Sequence, residues 1–343
     1  MESEKEYHFN ASQLEEGLAS LIELGVTRLI VADEAITGDR DVFFRFIGRA
    51  QKEAPDLFYK FYIKASVLDG AVCQSLSQLY CSLQLALDGK VLVGRKSFER
   101  KIELLNRSGL VFGFDLDFAQ EEGDSARLFR DRLNYALSLY PNHIDFTCVE
   151  HELPSPTKTF SSKDIDLAAD KAYACTLFYS AGRAVPWFLS VLKPLRIGGD
   201  IFFADFAEWL QCNNLGRKGS GPQKNGSKSS ASQDAFDSIY QLSHKEIEWM
   251  QLSFIKFKYQ EKGLDYLLPV AQDLIRFNGA FGRLVGEDLE SELDLVFHPE
   301  DLSSPYSQNL QTFADNVCME QCRVRLCWVQ DKEGNNFPDW YLV

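Results

Sequence analysis

The sequence predicts an α/β fold in which parallel strands alternate with helices, followed by a mostly helical C-terminal extension. Three observations predict it. Apolar runs of strand length alternate with helix-period segments from Thr27 to Val149. The connections between them are short, as in a sheet wound from successive β/α units. Residues 110–149 hold strand, helix and strand within about forty residues, a βαβ unit whose strands must run parallel.

Taken in order, residues 11–24 read as an amphipathic helix, capped by Asn10 or Ser12, with Leu14, Leu18, Leu21, Ile22 and Leu24 as its stripe. Gly25 ends it. The strand 27–32 (TRLIVA) delivers Asp33 and Glu34 at its C-terminal end. A helix over 41–54, closed by Pro55, leads to the strand 57–65, which ends near Lys64. A helix over 69–79, a strand over 81–87 and a helix over 97–106 follow. The strand 110–118 carries Asp115 and Asp117, and an acidic turn spans 120–124. Leu128, Phe129, Leu133, Ala136, Leu137 and Tyr140 mark the next helix, which Pro141-Asn142 stops before a fifth strand, 143–149. Such a sheet is either doubly wound or curled into a barrel. No dinucleotide fingerprint or phosphate-binding loop follows any strand.

The pattern changes after Val149. A proline-containing turn (150–159) precedes a long helix over 161–181, and residues 182–188 lead into further helix through 210. Residues 213–234, rich in Gly, Ser, Lys and Asn, read as a disordered linker. Helices follow over 243–262 and 264–277, then strands over 293–297 and 323–330, a turn over 331–336 and a last strand, 340–343. The domain reading is therefore 1–152 for the β/α part, 153–212 for a helical extension, 213–234 for the linker and 235–343 for the C-terminal region.

Composition narrows the function classes. The 343 residues carry a net charge of −14 and no basic run long enough to track phosphates, which argues against nucleic-acid binding. No apolar run approaches the roughly twenty residues of a membrane span. MESEKEYHFN has no apolar segment of the kind a signal peptide needs, and eight cysteines in a chain of this length fit reduced thiols in a cytoplasmic setting.

Asp33, Glu34, Lys64, Asp115 and Asp117 fall at the C-terminal ends of strands, where α/β folds place ligands. They are the candidate cofactor contacts. Asp115 and Asp117 share parity, so they face one side, and either pair with Lys64 or an arginine or meet a ligand. Cys318, Cys322 and Cys327 are the candidate metal ligands; the alternative is ordinary thiols on a strand, with Cys322 and Cys327 on opposite faces. Cys73, Cys81, Cys148, Cys175 and Cys212 read as core. His151, between Glu150 and Glu152, either does acid–base work or sits in a solvated loop. Arg183 either packs beside Trp187 and Phe188 or contacts a ligand.

GLVFGFDL, RDRLNYALSLYPNHIDF and LFYSAGRAVPWFLSVLKPL resemble the last barrel strands and following helices of radical S-adenosylmethionine proteins with a cobalamin-binding domain. MQLSFIKFKYQEKGLDYLLPVAQDLI resembles that subgroup's C-terminal helical extension. The resemblance implies a partial (β/α) barrel of the radical type. It also directs attention to departures. The family's C-x3-C-x2-C cluster loop has no counterpart, since Cys73 is the first cysteine. The family's G-L-P-G-like loop is replaced by Ala119-Gln120-Glu121-Glu122-Gly123. Residues 84–89 do not keep the Glu-and-Gln ribose pattern, and Pro154-Ser155-Pro156-Thr157 stands for the P-G-T turn. The expectation is a partial or degenerate member, a scaffold or a piece completing a partner, with no cofactor of its own. S-adenosylmethionine, a [4Fe–4S] cluster and cobalamin would enter only with a cobalamin- and cluster-bearing polypeptide encoded upstream. The partner is that polypeptide or a second copy, docked on the open edge of the first strand unless 323–330 or 340–343 covers it. The alternatives are the C-terminal part of a split enzyme and a metal-binding protein using the C-terminal cysteines.

Overall fold

The structure, a computed structural model, describes residues 17–120, 123–150, 153–217 and 236–343. Five strands form one parallel sheet in sequential order: β1 (Arg28–Val31), β2 (Phe58–Tyr62), β3 (Cys81–Ala86), β4 (Val111–Asp115) and β5 (His143–Asp145). A doubly wound sheet reverses its strand order at a switch point, whereas this order never reverses. Right-handed crossovers in an unreversed order put every helix on one face. The doubly wound alternative is thereby excluded, and the sheet is singly wound.

The chain divides into two units, residues 1–116 with 139–141, and residues 117–138 with 142–343. In the first, helix α1 (Arg40–Glu53) starts where the Asp39 carboxylate accepts from the amides of Asp41 and Val42, and it ends at Ala54 before Pro55. Its buried stripe, Phe43, Phe46, Ile47 and Ala50, lies on β2, with the Phe43 and Phe61 rings edge to face at 5.2 Å. Helix α2 (Gly70–Leu76) is capped by Asp69, and helix α3 (Arg95–Arg107) lays Phe98 against Phe114. Strand register aligns Leu29, Tyr59 and Cys81, and likewise Val31, Phe61, Leu83 and Phe112. All are buried on this helix-covered face. Each large side chain there contributes about 1.5–3 kcal/mol. The opposite face, of alternate parity, carries Arg28, Ile30, Phe58, Lys60, Tyr62, Ser82, Gln84, Gly113 and Asp115.

The second unit begins at Asp117. Helix α4 (Ala126–Ser138) precedes β5, which stops at Asp145 rather than reaching Val149 as the apolar run suggested. A short helix, Thr147–Glu150, takes its place. Helix α5 (Ser162–Cys175) opens with a Ser161/Asp164 capping box and runs into a π-helical turn, Thr176–Ala181. Helix α6 (Gly199–Cys212) and helix α7 (His244–Glu261) close on that turn around Phe178. The Phe178 ring lies edge to face with Trp187, Phe202 and Phe206 at 4.9–5.8 Å. Of the linker prediction, residues 218–234 lie outside the described residues. Arg217, at its start, is buried and paired with Asp170 at 3.0 Å.

Helix α8 (Leu268–Glu287) runs ten residues past the predicted end at 277. Three glycines weakened its helical signal there, yet the helix tolerates them because they meet side chains of its neighbours. Strands β6 (Ser291–Leu295), β7 (Cys322–Gln330) and β8 (Asn336–Leu342) form a separate antiparallel sheet in that order. The C-terminal segments therefore pair with one another, and among the described residues β1 has β2 as its one strand neighbour. β8 starts four residues before the predicted 340, because Pro338 is admissible in an edge strand. One face of this sheet buries Leu295, Val324 and Leu326; the other bears Glu292, Asp294, Arg323 and Arg325. The fully buried Asp273 joins helix to sheet. It accepts from the amides of Val296 (2.6 Å) and Phe297 (3.0 Å) and pairs with Arg276 at 2.5 Å. No described helix is long and apolar enough to cross a membrane.

Candidate functional site

The polar face of the first unit's sheet is the candidate site. β2 supplies it through the alternation of FYKFY: Tyr59 and Phe61 are buried under the helices, so Phe58, Lys60 and Tyr62 emerge on the other side. Register sets Tyr62 beside Gln84, and Gln84 beside Gly113. Gln84, 1% exposed, donates from Nε2 to Asp115 Oδ1 at 2.7 Å. The Lys60 ammonium stands 5.2 Å from the Tyr62 ring centre. A cation, a phenol, an amide and a carboxylate thus share one face. Sequence reasoning missed Lys60, Tyr62 and Gln84 as a set. The period-two pattern of residues 58–64 was the signal that would have found the first two.

At the strand ends the predicted residues are mostly bonded within the chain. Asp33 caps the short helix Glu34–Thr37, its Oδ1 accepting from Ala35 N at 2.8 Å. Lys64 pairs with Glu34 at 2.9 Å, both well exposed, so the pair contributes little to stability. Lys64 is thus committed to Glu34, while Asp115 accepts from Gln84. Asp117, in the second unit, forms no ion pair among the described residues. It caps the helix Thr147–Glu150, accepting from Thr147 Oγ1 (2.6 Å) and Cys148 N (2.9 Å). The structure thus gives Asp115 an amide donor and Asp117 a helix start.

The loop in the position of the family's glycine-containing turn has its own scaffold. Ala119 adopts a left-handed φ of 55°, a conformation that favours glycine. Its amide donates to Asp124 Oδ2 at 2.8 Å, and that oxygen also meets Arg132 at 3.0 Å, both side chains buried. Glu121, Glu122, His151 and Glu152 lie outside the described residues.

The candidate metal ligands are not gathered. Cys318 is exposed; Cys322 and Cys327 have opposite parity on β7, with Cys327 buried and Cys322 donating weakly to Phe297 O. Burial raises the Cys322 thiol above its ordinary range, opposite to what a thiolate ligand needs. Among the described residues no group of three His, Cys, Asp or Glu is arranged to hold a metal ion. The described residues therefore do not fit a cluster or a metal centre. Cys73, Cys81, Cys148 and Cys175 are buried, and burial pushes Cys81 up to about 12. Cys212, read as core, is exposed at the end of α6.

Arg183 takes the packing role. Its backbone is left-handed (φ 50°), and its guanidinium donates to Gly282 O and pairs with Glu287 at 2.9 Å. Gly282 and Gly286 make room for it, since a Cβ at either would press on the Arg183 side chain, and Gly279 does the same for Glu248. Beside this slot His244, 5% exposed, accepts at Nδ1 from Arg283 (3.1 Å), which also pairs with Glu248 at 2.6 Å. Burial, reinforced by the Arg183 and Arg283 cations, lowers the His244 pKa to about 4.

No protein-family model matches the chain, and no curated protein matches it. Two solved structures of TsrM, a radical S-adenosylmethionine methyltransferase from Kitasatospora setae, are similar to part of it. One has tryptophan substrate and a S-adenosylmethionine analogue bound, the other cobalamin and a [4Fe–4S] cluster. Each is 16% identical with a TM-score of 0.32, over 40% of this chain and 29% or 30% of theirs. The chain thus spans less than a third of the length of those structures.

Proposed function

We propose that this chain is a radical-S-adenosylmethionine-like α/β protein that does no radical chemistry alone and serves as a scaffold completed by a second polypeptide. The observation that carries the reading is the edge of β1. Among the described residues β1 pairs only with β2, and Ile30 is 55% exposed. Phe58 N donates to Thr27 O, so the backbone groups of Thr27, Leu29 and Val31 turn toward β2. Those of Arg28 and Ile30 consequently point outward, a template for one more parallel strand. The resemblance of residues 139–145 and 182–188 to that family's segments supports the same reading.

Hydrogen exchange on the monomeric chain tests it. Arg28 and Ile30 amides should exchange fast while Leu29 and Val31 are protected. Equal protection of all four in a verified monomer would overturn the proposal. Protection of Arg28 and Ile30 that grows as a dimer forms identifies a second copy as the completing chain. A second reading makes the completed assembly an enzyme, with the partner supplying cluster, S-adenosylmethionine and cobalamin. The polar face bearing Lys60, Tyr62, Gln84 and Asp115 favours it, since a singly wound sheet closed by a partner would enclose these groups.

A further inference from the structure

We infer that the second unit carries a binding cleft for a small organic phosphate, a phosphate monoester with an aromatic or apolar body. The cleft, of about 590 Å³, lies where the turn Lys193–Leu195, the junction of α7 with α8 and the start of the helix Leu310–Asn316 meet. Its volume suits a mononucleotide-sized ligand.

Charge is the first argument. The chain is acidic, with 50 Asp and Glu against 36 Lys and Arg, yet Lys193, Arg196 and Lys262 line this cleft and no carboxylate does. None of the three is ion-paired among the described residues. The contrast with Lys258, one turn earlier on α7, is direct: it is buried and neutralised by Asp205 at 2.8 Å and Glu261 at 2.5 Å. Three cations around one concavity, with only Lys262 sharing the field of a neighbouring carboxylate, Glu261, match a dianion better than a monoanion.

Backbone geometry is the second. Arg196 holds a left-handed conformation (φ 55°, ψ 36°) at the end of the turn Lys193–Leu195, where glycine would be unstrained. The conformation closes the turn, with the Arg196 amide donating to Lys193 O at 3.2 Å, and so fixes where the arginine leaves the cleft wall. The lining itself is the third argument. Leu195, Ile197 and Leu267 give an apolar floor, and the Tyr266 ring is 55% exposed at its side. That ring is fixed: its hydroxyl donates to Gln311 Oε1 at 2.6 Å, and Gln311 Nε2 donates to Asp315 at 3.0 Å. A pre-set aromatic surface beside cations recognises a flat body joined to a phosphate.

The test is calorimetric titration of the full chain with adenosine 5′-monophosphate, adenosine and inorganic phosphate. Adenosine monophosphate should bind saturably and more weakly as salt rises, inorganic phosphate should compete, and adenosine should bind at least about tenfold more weakly. Arg196→Gly removes the guanidinium while relieving the backbone, so it should fold normally and still weaken binding about tenfold. The double variant Lys193→Gln/Lys262→Gln should weaken it further. No saturable binding up to about 5 mM, where affinity would be too low to matter, overturns the inference. Equal binding of adenosine, or binding untouched in both variants, overturns it as well.

Discussion

Replacing His244 with asparagine should flatten the acid side of this protein's stability profile. His244 accepts from Arg283 at Nδ1, and only the neutral ring can do so. Burial and the two nearby arginines put its folded pKa at about 4, against 6.5 for the free side chain. As pH falls below 6.5 the unfolded chain takes up a proton that the folded chain refuses until about pH 4. Stability is therefore full above 6.5 and is lost progressively between 6.5 and about 4. The linkage relation gives a loss of about 2.5 kcal/mol by about pH 4.5 from this one group. Asparagine offers an oxygen near the position of Nδ1 and does not titrate. The variant should cost about 1–2 kcal/mol near neutrality and nothing further from this site on acidification. All five tryptophans, at 187, 209, 249, 328 and 340, lie in the second unit, so urea unfolding followed by their fluorescence reports on the unit that holds His244. Parallel profiles for wild type and His244→Asn, within about 0.5 kcal/mol from pH 7.5 to 4.5, would refute the reasoning.

Three further outcomes are expected. Asp273→Asn removes the charge from a fully buried group that holds two backbone amides and Arg276, and should cost about 3–5 kcal/mol in chemical denaturation; a cost below about 1 kcal/mol contradicts the assigned bonding. Ala119→Gly relieves about 1 kcal/mol of left-handed strain and forfeits a similar amount in chain entropy, leaving the melting temperature nearly unchanged, whereas Ala119→Val should lower it clearly. The chain alone, reconstituted anaerobically with iron and sulfide and reduced with dithionite, should form no 5′-deoxyadenosine from S-adenosylmethionine; product formation abolished by Cys318→Ala would assign the C-terminal cysteines a cluster.

The strands and long helices were legible because their periods differ and their caps are local: Asp39, Asp69 and Ser161 each mark a start within three residues of what they bond. Errors arose where a distant group decided the outcome. Residues 147–149 continue the predicted strand's run, but Asp117, thirty residues before Thr147, caps them into a helix. The spacing of Gly279, Gly282 and Gly286 marks one helix face, yet its meaning depends on Arg183 and Glu248 arriving from elsewhere. The candidate site was half legible. Strand ends located Asp115, but its partner Gln84 follows from register, which no single strand encodes. Lys193, Arg196 and Lys262 are not neighbours along the chain as a set, so no local pattern announces the cleft they share.

The charged face of the β6–β8 sheet has a consequence for how copies of this protein meet. Arg323 bonds Glu292 at 2.9 Å and Arg325 bonds Glu290 at 2.7 Å, with Asp294 alongside. These pairs tile the outer surface with alternating sign, so two such sheets cannot stack without stranding ions away from water. The outer margin of β8, an edge among the described residues with Phe337 and Leu342 exposed, is otherwise the kind of surface that recruits further strands. The tiling thus works as a water-holding skin, and its strength depends on the medium. At about 1 M salt, where charges are felt over only about 3 Å, the repulsion between molecules from the net charge is screened first, and protection against stacking should pass to the hydration of these close pairs.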